Sequence, residues 1–201
     1  MTSSSGLVPV QDDDHILGAE QPELTIVEYG DFGCPFCFAA RRPLESLLGR
    51  YDTLSLVWRH YPDSELHPGA GLAAEFSEFA AADGRFWDAY ALLLAGRDHF
   101  SQEDLHSVAR QLDLDPGEAE SALRDHTFRE RVLEDVRGAE KAGVHATPTF
   151  FLNGERLEEL ISIQGGQVTI KCGDASVVLK KDGTIMIKGK NISVEGYGRI
   201  D

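Results

Sequence analysis

Cys34 and Cys37 are the residues of this chain whose type and spacing carry the clearest chemistry. A cysteine that opens a helix faces unpaired N–H groups and the positive end of the helix dipole, and both favour the thiolate. Thiol pKa values in such motifs fall from ~8.5 to roughly 3.5–7.5. A Cys34 thiolate would attack a disulfide and form a mixed disulfide. Cys37, one turn further in, would then attack that bond and release the other partner. Run backwards, the same steps oxidise a dithiol. Pro35 and Phe36 between them supply no charge, so their backbone and packing are what tune Cys34. The competing chemistry for this spacing is half of a tetrahedral zinc site. His60, His67 and His145 offer nitrogen, but no second cysteine pair and no C-x-x-C…H-x₃₋₅-H spacing exists. Thiol exchange needs neither a metal nor an organic cofactor.

The elements around the pair suit that chemistry. Leu24 to Tyr29 reads as a mostly apolar, β-rich strand of the kind covered on both faces. Gly30-Asp31-Phe32-Gly33 breaks it. A helix is expected from Cys34 to about Leu48, with Pro35 in its first turn, Gly49 as its stop and Pro43 as a kink. Leu54 to Arg59 is a second strand, which makes residues 24–59 a βαβ unit. Helical patterns follow over 71–82 and 85–95. A capping box at Ser101 to Asp104 opens a third helix, and Asp115-Pro116 an N-cap with proline behind it. A last helix is expected from a Thr127 cap to Lys141, with Gly143 past its end. Thr149 to Leu152 returns to strand. Asn153-Gly154 is a hairpin turn, with Glu155 to Leu157 as the paired strand. Residues 1–23 are polar and acidic, and an irregular lead-in is expected there.

Composition narrows the function. The net charge of −15 disfavours nucleic acid as a partner. No run approaches the roughly 18–20 apolar residues of a membrane span, so no membrane partner is expected. Met1 to Gly6 has neither a positive nor an apolar signal region, so cytoplasm is the expected compartment, or periplasm if a signal has been removed. Residues 1–160 hold 30 Asp and Glu against 13 Lys and Arg; residues 161–201 hold 4 against 6. Basic residue choice switches from Arg to Lys across the same point. Two segments, 1–160 and 161–201, are therefore expected.

Glu28 to Cys37 resembles the active-site segment of the DsbA-like branch of the thioredoxin superfamily, and Val144 to Gly154 resembles its cis-proline segment. The similarity spans about residues 14–158. It implies an α/β thioredoxin-like fold with a helical insertion at about 62–143, and a protein-disulfide oxidoreductase. It further implies that Pro148 is cis beside the cysteines, that Thr147 exposes backbone to substrate, and that Glu28 is a buried acid serving Cys37. The plainer alternatives are an ordinary trans proline and a surface glutamate on a strand end. Pro35 and Phe36 would touch substrate, with Phe32 and Phe38 packing or lining an apolar groove. His60 and His67 are expected in structural roles. Partners would be protein or peptide thiols and disulfides, and a redox partner that recycles the pair.

Two departures stand out. The dipeptide is Pro-Phe rather than the Pro-His of strongly oxidising members, and the stretch Leu157 to Ile161 is too short for the usual closing helix, whose place the tail takes. Residues 161–201 instead alternate apolar and polar between glycines, as a short β-rich extension. Val168 to Ile200 resembles the C-terminal β-helix of VgrG-type secretion spikes, which would imply a tail-mediated trimer or a spike-associated interaction module.

Overall fold

In the computed structural model, the described residues are 9–96, 100–156, 161–164, 167–172, 175–180, 182 and 184–188. The chain divides into two compact units, Met1–Gly154 and Glu155–Asp201.

The first unit is built on a sheet ordered β1 (His15–Gly18), β3 (Leu54–His60), β2 (Leu24–Gly30), β4 (Thr149–Leu152). β2 and β3 are parallel, with Ile26 opposite Leu56 and Glu28 opposite Trp58. The connection between them is α1 (Pro35–Leu48), which completes the βαβ unit. β4 lies antiparallel to β2, with Glu28 opposite Phe150 and Tyr29 opposite Thr149. That register brings the chain just before β4 to the end of β2, where the cysteines begin. All seven residues of β3 are buried, as the near-continuous apolar reading of a central strand requires.

Five helices separate β3 from β4: α2 (Ala70–Ala82), α3 (Phe86–Gly96), α4 (Gln102–Gln111), α5 (Pro116–Arg124) and α6 (Arg129–Lys141). Phe76, Tyr90, Leu93 and Leu105 of this set share one core with Phe32, Cys37 and Trp58. The capping signals are real. The Ser101 and Asp104 side chains each accept from the other's backbone N–H, and Asp115 accepts from Gly117 and Glu118 N–H.

Two expectations need correction. The lead-in is not irregular: β1 pairs antiparallel with β3. Asp14 holds it there by receiving Arg59 through Nε at 2.8 Å and Nη2 at 2.7 Å. Thr127 does not cap α6, whose N-cap is Phe128. Its N–H instead closes α5 by donating to the Ala122 carbonyl at 2.9 Å, while His126, at φ 53°, turns the chain. Pro43 lies inside α1, which runs on to Leu48. Gly143 behaves as expected. At φ 69° it ends α6, and Val144 N–H reaches back to the Ala139 carbonyl at 2.9 Å.

The second unit opens with β5 (Glu155–Arg156), followed by an antiparallel sheet ordered β6 (Ile161–Gln164), β7 (Gln167–Cys172), β8 (Ala175–Lys180), β9 (Ile185–Lys188). Each strand of this sheet pairs with the next in sequence, a meander formed within one chain. Ile185, Met186 and Ile187 of β9 are all exposed. Leu157 and the end of the β-rich extension, residues 189–201, lie outside the described residues.

Candidate redox site

The parallel strand β2 delivers Glu28, Tyr29 and Gly30 to the sheet's end, and the tight stretch Asp31–Gly33 turns the chain into α1. Cys34 is the N-cap of that helix, in extended conformation, with Pro35 at its first position. Cys34 N–H donates to the Asp31 carbonyl at 3.1 Å, and Phe38 N–H reaches the Cys34 carbonyl at 3.1 Å. Cys34 therefore sits at the mouth of the helix rather than within it, and the helix starts at Pro35, one residue later than expected.

Both cysteines are buried free thiols. The Cys34 thiol donates to the Thr147 carbonyl at 3.3 Å, 113 positions along the chain. The Thr147–Pro148 peptide is cis. Cys37 Sγ accepts from Asp31 N–H at 3.5 Å. Pro35 is exposed, Phe36 is 70% exposed, and Thr147 and Pro148 are half-buried, so one face of the pair meets solvent. Of the three phenylalanines near the site only Phe36 is exposed. Phe32 stacks on Trp58 at 5.1 Å between ring centres, inside the core, and Phe38 is half-buried.

The two sulfurs differ in acidity. Cys34 is lowered to about 5, first by hydrogen bonding from Cys37 and then, against the cost of burial, by the Thr147 side chain and the backbone N–H groups of Cys37 and Phe36. Cys37 is raised by the same bond seen from its other end, by burial and by the charge of Glu28. Glu28 is fully buried, and neither carboxylate oxygen has a hydrogen-bond partner among the described residues. Burial, then the Cys34 charge, push its pKa up to about 8, while the Cys37 thiol works the other way. The plainer alternative, a surface glutamate, is thus wrong for this position. Tyr90, also buried with its hydroxyl unpartnered among the described residues, is raised by burial and then by Glu28.

The protein-family model described as Thioredoxin matches residues 11–171. The chain belongs to the thioredoxin family. Among solved structures, BdbD of Bacillus subtilis in its oxidised form has a TM-score of 0.63 at 22% identity, covering 70% of this chain and 82% of that one. A thioredoxin-like oxidoreductase from Silicibacter pomeroyi also has a TM-score of 0.63 at 22% identity, over 73% and 83%. These likenesses give the thioredoxin-family fold its DsbA-like form, with helices inserted between β3 and β4. Among curated proteins, the Na(+)/H(+) antiporter NhaA 3 of Salinispora tropica is 39% identical over 178 residues, 88% of this chain and 27% of the antiporter. The chain thus spans about a quarter of the length of that relative. No helix among the described residues is long and apolar enough to cross a membrane. The spike resemblance of the tail finds no support in these matches; the family match itself runs into the tail as far as residue 171.

Within this thioredoxin-family frame, the structure gathers Glu28, Cys34, Cys37, Thr147 and Pro148 at one end of β2 and leaves Pro35 and Phe36 on the outer face. Sequence reasoning missed Asp31 and the use made of His67. Asp31, 1% exposed, receives Gly33 N–H at 2.7 Å, Asp63 N–H at 2.9 Å and His67 Nδ1 at 2.7 Å. An Asp two residues before a Gly at a strand end was the available signal.

His60 is structural, as expected. It forms a triad with His15 and Glu78 whose ligand-type atoms lie within 4.8 Å of one another. Trp58 Nε1–H, a donor only, lies 3.2 Å from His60 Nδ1, so Nδ1 accepts and Nε2 carries the proton. His60 Nε2 then donates to Glu78 Oε1 at 2.9 Å, beside His15 Nε2 at 2.8 Å on the same oxygen. A metal on His60 Nε2 would require Nδ1–H against the indole N–H, two donors face to face. The triad is a satisfied hydrogen-bond cluster joining β1, β3 and α2.

Proposed function

We propose that this chain is a thiol–disulfide oxidoreductase acting on protein or peptide thiols through Cys34 and Cys37. Membership of the thioredoxin family and the DsbA-like fold support the reaction class. One observation carries the assignment to these residues: a sulfur at a helix mouth, its pKa lowered to about 5, hydrogen-bonded to a second sulfur whose acidity is driven the opposite way.

In the reducing direction, the Cys34 thiolate attacks one sulfur of a substrate disulfide. A Cys34–substrate disulfide forms, and the other substrate sulfur leaves as thiolate. This consumes the charge on Cys34, which removes one of the two causes that hold Glu28 protonated. Glu28 then gives its proton through solvent to the departing substrate thiolate, and the ionised carboxylate takes the Cys37 proton. The Cys37 thiolate attacks Cys34, closes the Cys34–Cys37 disulfide and expels the second substrate thiolate. The net change is one substrate disulfide reduced and one protein dithiol oxidised. In the opposite direction a substrate thiolate attacks Cys34, Cys37 leaves, and protonated Glu28 returns its proton to it. Thr147 and Pro148 on one side, and Pro35 and Phe36 on the other, border the approach to Cys34 and contact the substrate chain. A separate redox partner resets the pair.

The compartment decides the net direction. The cytoplasmic expectation gains no support from the relatives, and the periplasmic alternative fits the chemistry equally. Ion translocation, which the antiporter's name describes, is not assigned to these residues. The segment shared with it is read as the redox unit of a longer protein.

Insulin reduction under a dithiol reductant tests the reading. Cys34→Ser is expected to lose the activity. Cys37→Ser is expected to attack once and accumulate mixed disulfide, visible by mass. A Cys34→Ser protein that reduces insulin as fast as the parent contradicts it.

A further inference from the structure

Pro35 and Phe36 bring no charge to the helix mouth, yet a titratable side chain packs beside it from elsewhere. His67 lies in the loop between β3 and α2. Its backbone N–H donates to the Asp63 carbonyl at 2.8 Å, and its carbonyl accepts from Ala70 N–H at 3.0 Å, which fixes the loop at both ends. Its ring is held by the fully buried Asp31 carboxylate at 2.7 Å and keeps 19% of its surface open. The side chain lies directly on the residue before the nucleophile: a Cβ on Gly33 would stand 2.5 Å from His67 Cβ. No residue larger than glycine fits at 33 while His67 is in place.

We propose that His67 is an electrostatic positioning residue for Cys34, clamped over the helix mouth by Asp31, positively charged while Cys34 is a thiolate and releasing part of its proton to solvent when Cys34 enters a disulfide. The proposal rests on the redox reading above. The charged and titratable groups that face the ring are Asp31 and Asp63 from the two loops and Cys34 from α1. Burial alone would lower the His67 pKa. The hydrogen bond and charge of Asp31 overcome it and raise the pKa, and Cys34 and Asp63 add to the rise. Coupling between two sites is reciprocal: a thiolate that stabilises the imidazolium is stabilised by it to the same extent. Oxidation removes the thiolate, so the imidazolium loses one of its supports while Asp31 remains.

A purely structural role is the rival. Asp31 already holds two backbone donors, Gly33 and Asp63, so the loops are joined without His67. A neutral donor at 67 would complete the set equally well. Charge is what separates the two accounts.

The deciding experiment is an NMR titration of the His67 imidazole in the intact chain, in its dithiol and disulfide forms, with the Cys34 alkylation profile measured beside it. At a partly exposed, solvent-screened site the expected coupling is roughly threefold in proton affinity. The His67 midpoint should fall by that factor on oxidation. In His67→Gln, which retains an N–H donor for Asp31, Cys34 should bind its proton about threefold more tightly. Equal His67 midpoints in the two redox forms overturn the proposal, and that titration needs no variant to fold. An unmoved Cys34 midpoint in a folded His67→Gln protein does the same. A Cys34–Cys37 pair that fails to exchange with glutathione at all overturns the redox reading, and the His67 role with it. Normal exchange with equal His67 midpoints overturns the His67 role alone.

Discussion

The two ends of one four-residue motif lie in opposite regions. Around Cys34 the protein offers hydrogen bonds from Cys37 and the Thr147 side chain, a helix mouth and an outer face edged by the exposed Phe36. Around Cys37 it offers burial, the unpartnered carboxylate of Glu28 and the unpartnered hydroxyl of Tyr90. The outer region stabilises negative charge and the inner one rejects it. That difference makes a pair of identical residues into a nucleophile and a resolving thiol, because each sulfur is reactive at the stage when the other is not.

Glu28→Gln is the sharpest way to break the contrast, since it removes a buried carboxyl that acts on both sulfurs. Resolution of a preformed mixed disulfide should slow by at least ~10²-fold in a single-turnover assay, while first attack by Cys34 is preserved. The same substitution should change how stability depends on pH. The unfolded carboxyl titrates near its ordinary 4.5 and the folded one at about 8, so the folded state binds more protons between those values. The Glu28 contribution to the stability of the dithiol form then declines as pH rises from 4.5 to 8, by on the order of 4–5 kcal/mol at most, while Cys34, lowered to about 5, contributes the opposite slope over most of that window. Denaturant unfolding at a series of pH values should therefore show stability rising more with pH in Glu28→Gln than in the parent across that window.

The smallest effect is expected far from both regions. Asp115→Ala removes an N-cap on α5 and should lower stability by ~1 kcal/mol in urea unfolding. Cys34 alkylation should not move, because that helix end offers the site neither a hydrogen bond nor a charge. A change in alkylation would mean that the site's electrostatics are set by the whole insertion rather than by its own shell.

What the sequence disclosed follows the range of the interactions. Cys34, Pro35 and Cys37 are neighbours in the chain, so their place at a helix start was legible. So were the caps at Ser101 and Asp115, which close on partners two or three residues away. β1 was not, because four residues with a mostly exposed pattern are held by distant contacts: Asp14 to Arg59, and His15 stacked on Phe86 at 3.4 Å between ring centres. Thr127 misled because a threonine before a charged helix reads as a cap, while the preceding helix had already taken its N–H. The Asp31–His67 pair spans 36 positions, and only packing brings its halves together. Glu28 was placed by family resemblance. Its isolation from every described hydrogen-bond partner is a property of the folded core that no local pattern carries.

The most direct test of the account is the rate of iodoacetamide alkylation of Cys34 in the dithiol protein as a function of pH, followed by mass at that residue. A midpoint near pH 5 with Cys37 unreactive across the range is the expected result. A midpoint near the ordinary ~8.5 of a free thiol, or equal reactivity of the two cysteines, would contradict it.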